Sequence, residues 1–511
     1  MIAWLQRNRT SVRFAFMIGL FSRIISVGLS LFWSRLLLRA MGDPLNGLFV
    51  TFQGITRLGG LGDFGMGGAV GLRAEQMLGE ADASRLQKFL ANARSVFLIL
   101  GLAVLTLLLA LAPWLPGWLR FENVLNAGSF PLLFAAGALG AGLLLINIYF
   151  SNLNYAHGTV VWPVLPALVL AQLSLAGHWM LARAQAPLWV QYLPYLAVSV
   201  LSLLIAKKML DWSHPWLGNL TPLRCDWPEW KFLFASSGWV YLCSLGSLIF
   251  TTTDRVLINA VFGSAVIPKY YYNYKLCELA VIVVGTASSV SMPKINQWLA
   301  GKSAADKTRA VSEINRLNQF QVVLGCAAAL VYLLVNDWFV NLWLGGDYHA
   351  PFAWQAAFAL NLAVMAGGDT GIQVAGRCGV NGIRAAGMAI GAAGVLNLLL
   401  AIIAAKFHSI TGIASATVVA QSCLNLALGG YVCRHIGLSA IRWAMRSLMI
   451  PLLIVLAGAW LKTIFPDESL RHIVALLGCY AGLLLLAARF AGINRKMLSS
   501  ELATVRAMLK I

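Results

Sequence analysis

Four basic side chains lie in segments of this chain that are otherwise apolar. Arg23 and Arg57 fall near the middles of the first two hydrophobic segments, whereas Arg35 and Lys275 lie closer to segment ends. A charged side chain at the centre of a bilayer costs roughly 2.5 to 3.5 kcal/mol on insertion scales, so it must face protein or water. The pattern favours a cationic cavity that binds an anionic substrate.

Each of these basic residues also has a purely structural interpretation. Arg23 could tie helices together through backbone carbonyls, and Arg57 could pair with Asp63 across a glycine break. Lys275 precedes Glu278 by three residues and lies near an outer segment end, so mutual neutralisation or snorkelling is favoured for it. Interfacial anchoring is favoured for Arg35 and for two further charged residues near outer segment ends, Asp254 and Arg255.

Polar residues accompany the arginines at helical spacing. Ser26 and Ser30 follow Arg23 at i+3 and i+7, and Gln53 precedes Arg57 by one turn. The seventh hydrophobic segment has a similar face, with spacings of 4, 3 and 7 residues between Ser237, Tyr241, Ser244 and Thr251. Such faces would line an aqueous cavity between two bundles, although serines in membrane helices also serve close packing.

Acidic residues in or near the hydrophobic segments are candidates for coupling transport to an ion. They are Asp63, Asp254, Glu278 and Asp369. Asp369 has Gln373 one turn later and Asn361 two turns earlier, which fits either an ion site or an internal hydrogen-bond contact. The coupling ion would be H⁺ or Na⁺. The histidines form no HExxH or i, i+4 pair, so no metal site, catalytic residue or other cofactor is predicted.

The elements that position these residues must be membrane-spanning helices. With 511 residues, 59% of them hydrophobic and 11% charged, the chain cannot cover a soluble surface with polar groups. The long apolar runs lack the alternation of barrel strands. We therefore expect an all-α protein of about fourteen transmembrane helices, with the first span retained rather than cleaved as a signal peptide.

Lysines and arginines are concentrated in alternate loops. Most of the 38 lysines and arginines fall on the side of both termini, which predicts that both termini are cytoplasmic. This distribution also accounts for the net charge of +19 through topology and anionic lipid, without nucleic acid.

Two weak internal sequence similarities predict a repeat of six helices. The string Ala81, Asp82, Arg85 returns as Ala305, Asp306, Arg309, and Arg35, Leu37, Ala40, Gly42 parallel Arg255, Leu257, Ala260, Gly263. The predicted domains are a bundle at 1–208, a cytoplasmic linker at 209–231, a second bundle at 232–436, and two further helices with a cytoplasmic tail at 437–511.

Several motifs carry a resemblance to a known family. They are Arg39-Ala40-Met41-Gly42, Asn46-Gly47-Leu48, Leu61-Gly62-Asp63-Phe64-Gly65 leading to Arg73, and the stretch from Asp254 to Tyr272. With the repeat scheme, the chain resembles polysaccharide transporters of the multidrug/oligosaccharidyl-lipid/polysaccharide exporter superfamily, and within it the O-antigen type flippases of lipid-linked oligosaccharide.

The resemblance implies two bundles forming a V in the bacterial inner membrane. It implies alternating access that moves an undecaprenyl-diphosphate-linked glycan, used in lipopolysaccharide synthesis, to the periplasmic leaflet. Arg23 and Arg57 would hold the diphosphate, since guanidinium groups bind phosphate oxygens in bidentate fashion. Membrane lipids, and the glycan polymerase and glycosyltransferases of the same pathway, would be its partners.

Three alternatives stay open. A lipid II flippase of peptidoglycan synthesis has a similar Phe21-Ser22-Arg23-Ile24 stretch, but its arginine-rich segment after the first span is replaced here by glycine-rich sequence. An ion-coupled multidrug exporter would use Asp63 or Asp369. A membrane glycosyltransferase or polymerase is disfavoured, because the longest outward loop runs only from Pro113 to Ser129.

Overall fold

The structure is a computed structural model, and it describes the chain in segments. The described residues are 12–58, 63, 65–67, 70, 83–114, 129–156, 161–213, 226–300, 303–376, 378–465 and 470–493. For some residues within these ranges, including Arg23, Arg57 and Thr251, the description covers the backbone alone. The regular secondary structure of the described residues is helical throughout, with no strand.

Contacts divide the chain into two compact units, 1–268 and 269–511. The helices of the first unit are α1 (Val12–Leu58), α2 (Ala83–Leu111), α3 (Ser129–Ala156), α4 (Val161–Arg183), α5 (Leu193–Ser213) and α6 (Trp227–Phe262). Helix α6, which the repeat scheme assigns to the second bundle, packs here with the first unit. The predicted domain boundaries stay a prediction, since packing units and sequence repeats need not coincide.

The second unit contains the remaining long helices, the first of which begins at the unit boundary. They are α7 (Ile267–Ala300), α8 (Ala304–Trp343), α9 (Phe352–Ala375), α10 (Gly379–Lys406), α11 (Ile410–Ile436), α12 (Ala440–Ile464) and α13 (Leu470–Ala491). Helix α12 contains a single π-helical turn at Met445–Met449. Eight of the described helices are long and apolar enough to cross a membrane, which confirms the predicted all-α membrane class.

Helix α1 contains both of the first two predicted spans. Its two halves meet at Gly42, where φ is 72° and ψ is 170°, a conformation that favours glycine. The second half ends at Leu58, just before the glycine-rich stretch that follows. For this stretch the sequence leaves a kinked or broken helix and close packing as equal alternatives, and most of its residues lie outside the described part of the chain.

Close backbone approaches hold the first unit together at small residues. A Cβ added at Gly47 would lie 1.8 Å from the backbone oxygen of Ser264, and one added at Gly54 would lie 3.1 Å from Cγ2 of Thr252. The second half of α1 also packs through an aromatic side chain, since the ring of Phe52 lies 5.1 Å from the ring of Tyr192, just before α5. Small residues allow this spacing because van der Waals packing drives helix association in lipid.

We expect Gly47→Ala to destabilise the protein by about 1 to 3 kcal/mol, because the new methyl group collides with backbone that cannot rotate away. The measurement is the thermal unfolding midpoint of purified protein in detergent. Gly28→Ala on the same helix is the matched control, since nothing lies within 4 Å of its added Cβ. The control should unfold at or slightly above the wild-type midpoint. Equal midpoints for the two variants would contradict the close packing at Gly47.

Candidate functional site

Helix α1 concentrates positive charge along one element. It carries five arginines, Arg13, Arg23, Arg35, Arg39 and Arg57, against one acidic residue, Asp43. Arg35 is half-buried, and its Nε atom is buried without a hydrogen-bond partner. A buried guanidinium N–H without an acceptor is costly unless a ligand or water satisfies it.

The structure places Arg23 and Arg57 on the α1 backbone, but their side chains lie outside the described residues. Arg23 lies in the first half of α1 and Arg57 one residue before its end. Whether the two guanidinium groups converge on one ligand stays a prediction.

The predicted serine face of α1 points toward the protein. Ser26 and Ser30 are half-buried, and the same face continues at helical spacing to Leu37 and Met41, which are buried in the core of the first unit. Ser34 Oγ donates to the Ser30 backbone oxygen at 2.6 Å. This face is therefore a packing face at its Met41 end, and the cavity role of its serines stays a prediction.

The predicted polar face of α6 uses two of its hydroxyls locally. Ser237 is fully buried, and its Oγ donates to the Leu233 backbone oxygen at 2.7 Å. Ser244 Oγ donates to the Val240 backbone oxygen at 3.1 Å. Tyr241 is half-buried, while the Thr251 side chain lies outside the described residues. The close-packing alternative for serines fits Ser237 in this structure.

Asp63 and the α6 face are brought together by a turn. Both Asp63 carboxylate oxygens accept backbone N–H groups, from Gly65 at 2.9 Å and Gly67 at 3.2 Å. A Cβ at Gly65, where φ is +73°, would lie 2.9 Å from the Ser237 backbone oxygen and 2.7 Å from the Tyr241 nitrogen. Asp63 therefore shapes the turn that packs on α6, in addition to its candidacy as a coupling residue.

Gln53 and Asp254 lie on the neighbouring helices α1 and α6. Both side chains are half-buried. The contact between Gly54 and Thr252 brings these two parts of the chain together. The sequence assigned these residues to different bundles, and the first unit contains both.

In the second unit, Lys275 is paired. Its Nζ lies 2.6 Å from Oε2 of Glu278 and 3.0 Å from the Tyr271 hydroxyl, and it sits 5.0 Å from the centre of the Tyr271 ring. The sequence favoured mutual neutralisation of Lys275 and Glu278, and this geometry matches that interpretation. The ion pair must break before Lys275 or Glu278 can bind another ion.

We expect the pair to show energetic coupling. Lys275→Met should destabilise the protein by about 2 kcal/mol, because it leaves Glu278 partly buried without its cation. The double variant Lys275→Met/Glu278→Met should recover most of that loss. A double-mutant cycle of unfolding free energies measures this. Strictly additive effects would contradict the pairing.

Asp369 is held by an internal hydrogen bond. Gln321 Nε2 donates to Asp369 Oδ2 at 2.8 Å, and Thr370 Oγ1 donates to Gln321 Oε1. Asp369 also lines a small pocket, together with apolar residues of α7 and α9 that include Val281, Leu362 and Met365. The arrangement fits the hydrogen-bond alternative, and an ion role for Asp369 stays a prediction.

The structure reveals a polar cluster that sequence reasoning missed. Lys462 Nζ donates to Asp337 Oδ2 at 2.7 Å and to the Leu333 backbone oxygen at 2.5 Å. Gln355 Nε2 donates to Asp337 Oδ1 at 2.5 Å, and His349 Nδ1 lies 3.6 Å from the same oxygen. Since Asp337 and Lys462 are 125 residues apart, no local spacing in the sequence signals this pair.

Among the residues that the structure describes, no three His, Cys, Asp or Glu side chains are grouped closely enough to hold a metal ion.

Comparison with known proteins identifies the fold. No family model matches the chain, and neither does any curated protein. A lipid II flippase, MurJ, in an inward closed conformation matches with a TM-score of 0.64 at 14% identity, covering 92% of this chain and 98% of the other. An inward-facing multidrug resistance MATE family transporter of the MOP superfamily matches with a TM-score of 0.55 at 14% identity, covering 80% and 94%.

A MATE protein in a bent conformation also matches, with a TM-score of 0.52 at 11% identity over 93% of this chain and 97% of that one. At such identities the similarity shows the fold and leaves the substrate open. One of these neighbours is a lipid II flippase, and the other two are MATE proteins. The predicted all-α membrane fold is confirmed, and the superfamily stays a prediction.

Proposed function

We propose that this chain is a flippase that moves an undecaprenyl-diphosphate-linked oligosaccharide from the cytoplasmic to the periplasmic leaflet of the bacterial inner membrane. The observation that carries the proposal is the charge on α1. Five arginines share this helix with one acid, and Arg35 keeps a buried Nε without a partner. A helix with this excess of guanidinium groups suits an anionic substrate that must leave water.

The diphosphate sets the chemistry of such a site. Its oxygens lose hydration on entering the protein, and arginine forks replace that hydration with paired, charge-assisted hydrogen bonds. Arg23 and Arg57 hold the diphosphate, and Arg35 assists. Lys275 contributes less, because Glu278 and Tyr271 already occupy its ammonium group.

Alternating access completes the cycle. The sugars pass along the polar faces of α1 and α6, and the isoprenoid tail stays in lipid. Coupling to H⁺ or Na⁺ would act through Asp63 or Asp369, with Asp254 and Glu278 as further candidates. The glycan polymerase and glycosyltransferases of the same pathway would supply and consume the lipid-linked glycan.

The direct experiment is a gene deletion followed by extraction of lipid-linked intermediates. Completed undecaprenyl-diphosphate-linked repeat units should accumulate on the cytoplasmic leaflet, and surface glycan should disappear. A plasmid copy of the gene should restore both. Normal surface glycan without any accumulated intermediate would contradict the proposal.

A lipid II flippase is the second candidate, and the similarity to a solved lipid II flippase favours it. In that case depletion should stop growth, cause lysis and accumulate lipid II, whereas loss of O-antigen leaves cells viable. The similarity to MATE transporters keeps an ion-coupled exporter as a third candidate. Resistance to cationic drugs on overexpression, with normal glycan in the deletion strain, would favour the exporter.

A further inference from the structure

A groove with a volume of about 230 Å³ opens between the end of α11 and the start of α12. It lies within the second unit, and none of the residues of the proposed substrate site lines it. Its lining residues are Asn425, Leu426, Gly430, Ala440, Ile441, Trp443 and Ala444. Apart from the amide of Asn425 and the indole nitrogen of Trp443, their side chains are apolar. The groove therefore suits a hydrocarbon chain.

A buried donor lies in the wall of this groove. Trp443 is only 4% exposed, and its Nε1 atom is buried without a hydrogen-bond partner. A Cβ added at Gly429 would lie 2.6 Å from this nitrogen, so the indole packs against α11 one residue before the groove residue Gly430. The buried indole therefore forms part of the wall of the groove.

Positive charge borders the groove. Leu426, Gly430 and Arg434 follow one another at i, i+4 and i+8 on α11, so one helix face passes from apolar to cationic within two turns. Arg442 lies between the groove residues Ile441 and Trp443. The side chains of both arginines are exposed. Two exposed arginines therefore lie on the helices that form the groove, Arg434 one turn beyond Gly430 and Arg442 next to Ile441 in the chain.

We infer that this groove binds one anionic phospholipid, with its headgroup at Arg434 and Arg442 and an acyl chain against Leu426, Gly430 and Ile441. On the predicted topology this end of α11 and α12 is cytoplasmic, where leaflets carry negative surface charge and basic pockets between helices bind anionic headgroups. Ile441 is 78% exposed, which suits contact with surrounding lipid. The inference goes beyond the proposed function and holds for any transporter with this groove.

The first test fills the groove. Purified protein in detergent is titrated with phosphatidylglycerol or with phosphatidylcholine of the same acyl chains, and bound lipid is counted by native mass spectrometry. Wild type should hold one phosphatidylglycerol with clear preference over phosphatidylcholine. Gly430→Leu should abolish that site, because its side chain enters open space in the groove without a clash. Gly478→Leu on α13 is the control, since its added Cβ also meets nothing within 4 Å.

The second test removes charge. Arg434→Gln and Arg442→Gln should each weaken phosphatidylglycerol binding about fivefold, equivalent to about 1 kcal/mol per basic residue. Arg489→Gln, an exposed arginine in the last turn of α13, is the control and should bind as wild type does.

Three results would overturn the inference. One is unchanged phosphatidylglycerol binding in Gly430→Leu, Arg434→Gln and Arg442→Gln alike. Another is equal affinity for phosphatidylcholine. The third is loss of undecaprenyl phosphate binding in these variants while phosphatidylglycerol binding is kept, which would assign the groove to the transport substrate. These binding measurements do not depend on transport. If the deletion strain lacks the phenotype expected of a flippase, the inference about the groove is therefore unaffected.

Discussion

We expect replacement of Arg23 by alanine to abolish surface glycan in cells that still make and insert the protein. The reason is the predicted depth of this residue in the membrane, where the proposed diphosphate would have no water to bind. A hydrogen bond to a charged group contributes about 1.5 to 3 kcal/mol, and a bidentate fork supplies two. Loss of about 3 kcal/mol slows translocation by roughly 100-fold. Surface glycan is read by lipopolysaccharide gels, and insertion by membrane fractionation.

Two companion variants sharpen this result. Arg23→Lys keeps the charge but loses the planar fork, so we expect partial activity between wild type and alanine. Arg39→Ala removes an exposed arginine of the same helix and serves as the control for lost charge. It should display normal glycan. Full glycan display in Arg23→Ala would remove Arg23 from the proposed diphosphate site. Equal defects in Arg23→Ala and Arg39→Ala would instead indicate that lost positive charge disturbs the membrane topology of the protein.

Arg57→Ala follows the same reasoning and tests the alternative pair with Asp63. In the structure both oxygens of Asp63 accept backbone N–H groups from Gly65 and Gly67. A carboxylate used in this way still attracts a cation, so the pair is not eliminated. If Arg57 binds the substrate, adding Asp63→Asn should leave the defect of Arg57→Ala unchanged. If the two residues form an ion pair, adding Asp63→Asn should recover part of that defect, because no uncompensated carboxylate remains.

Hydropathy predicts the membrane helices well because it is a local property. Eight of the described helices are long and apolar enough to cross a membrane, and the backbone of α1 includes residues of the first two predicted spans. Hydropathy misses how far some helices continue, since α6, α7 and α8 are 36, 34 and 40 residues long and extend through polar residues beyond the apolar windows. The break at Gly42 depends on backbone conformation that no hydrophobic window contains.

In the candidate site too, local contacts could be predicted from the sequence and contacts between distant segments could not. The Lys275–Glu278 pair could be predicted, because its spacing of three residues places both side chains on one helix face. Ser237 was predicted to line a cavity, with close packing as the alternative, and only the approach of the Gly65 turn shows what covers it. Asp369 likewise acquires Gln321 from another helix. Partners that come from distant segments are set by tertiary packing, which spacing does not encode.

Lys462→Met should destabilise the second unit more than Lys275→Met does. Lys462 joins α12 to α8 through Asp337 and the Leu333 carbonyl, and Gln355 of α9 binds the same carboxylate. Methionine matches the length of lysine but removes the charge, so Asp337 loses its cation and the Leu333 oxygen loses its donor. The two charged side chains are 18% and 24% exposed. Partial solvation lowers the cost of a broken buried pair to about 2 to 3 kcal/mol.

The matched control is Lys406→Met, an exposed lysine in the last turn of α10. It should leave the unfolding midpoint within the error of wild type. Adding Asp337→Asn to Lys462→Met should recover part of the loss, because a neutral amide oxygen still accepts from Gln355 and no uncompensated charge remains. If Lys462→Met unfolds at the same midpoint as Lys406→Met, the cluster does not stabilise the packing of α12 on α8. If it is destabilised without rescue by Asp337→Asn, the lost Leu333 contact outweighs the ion pair.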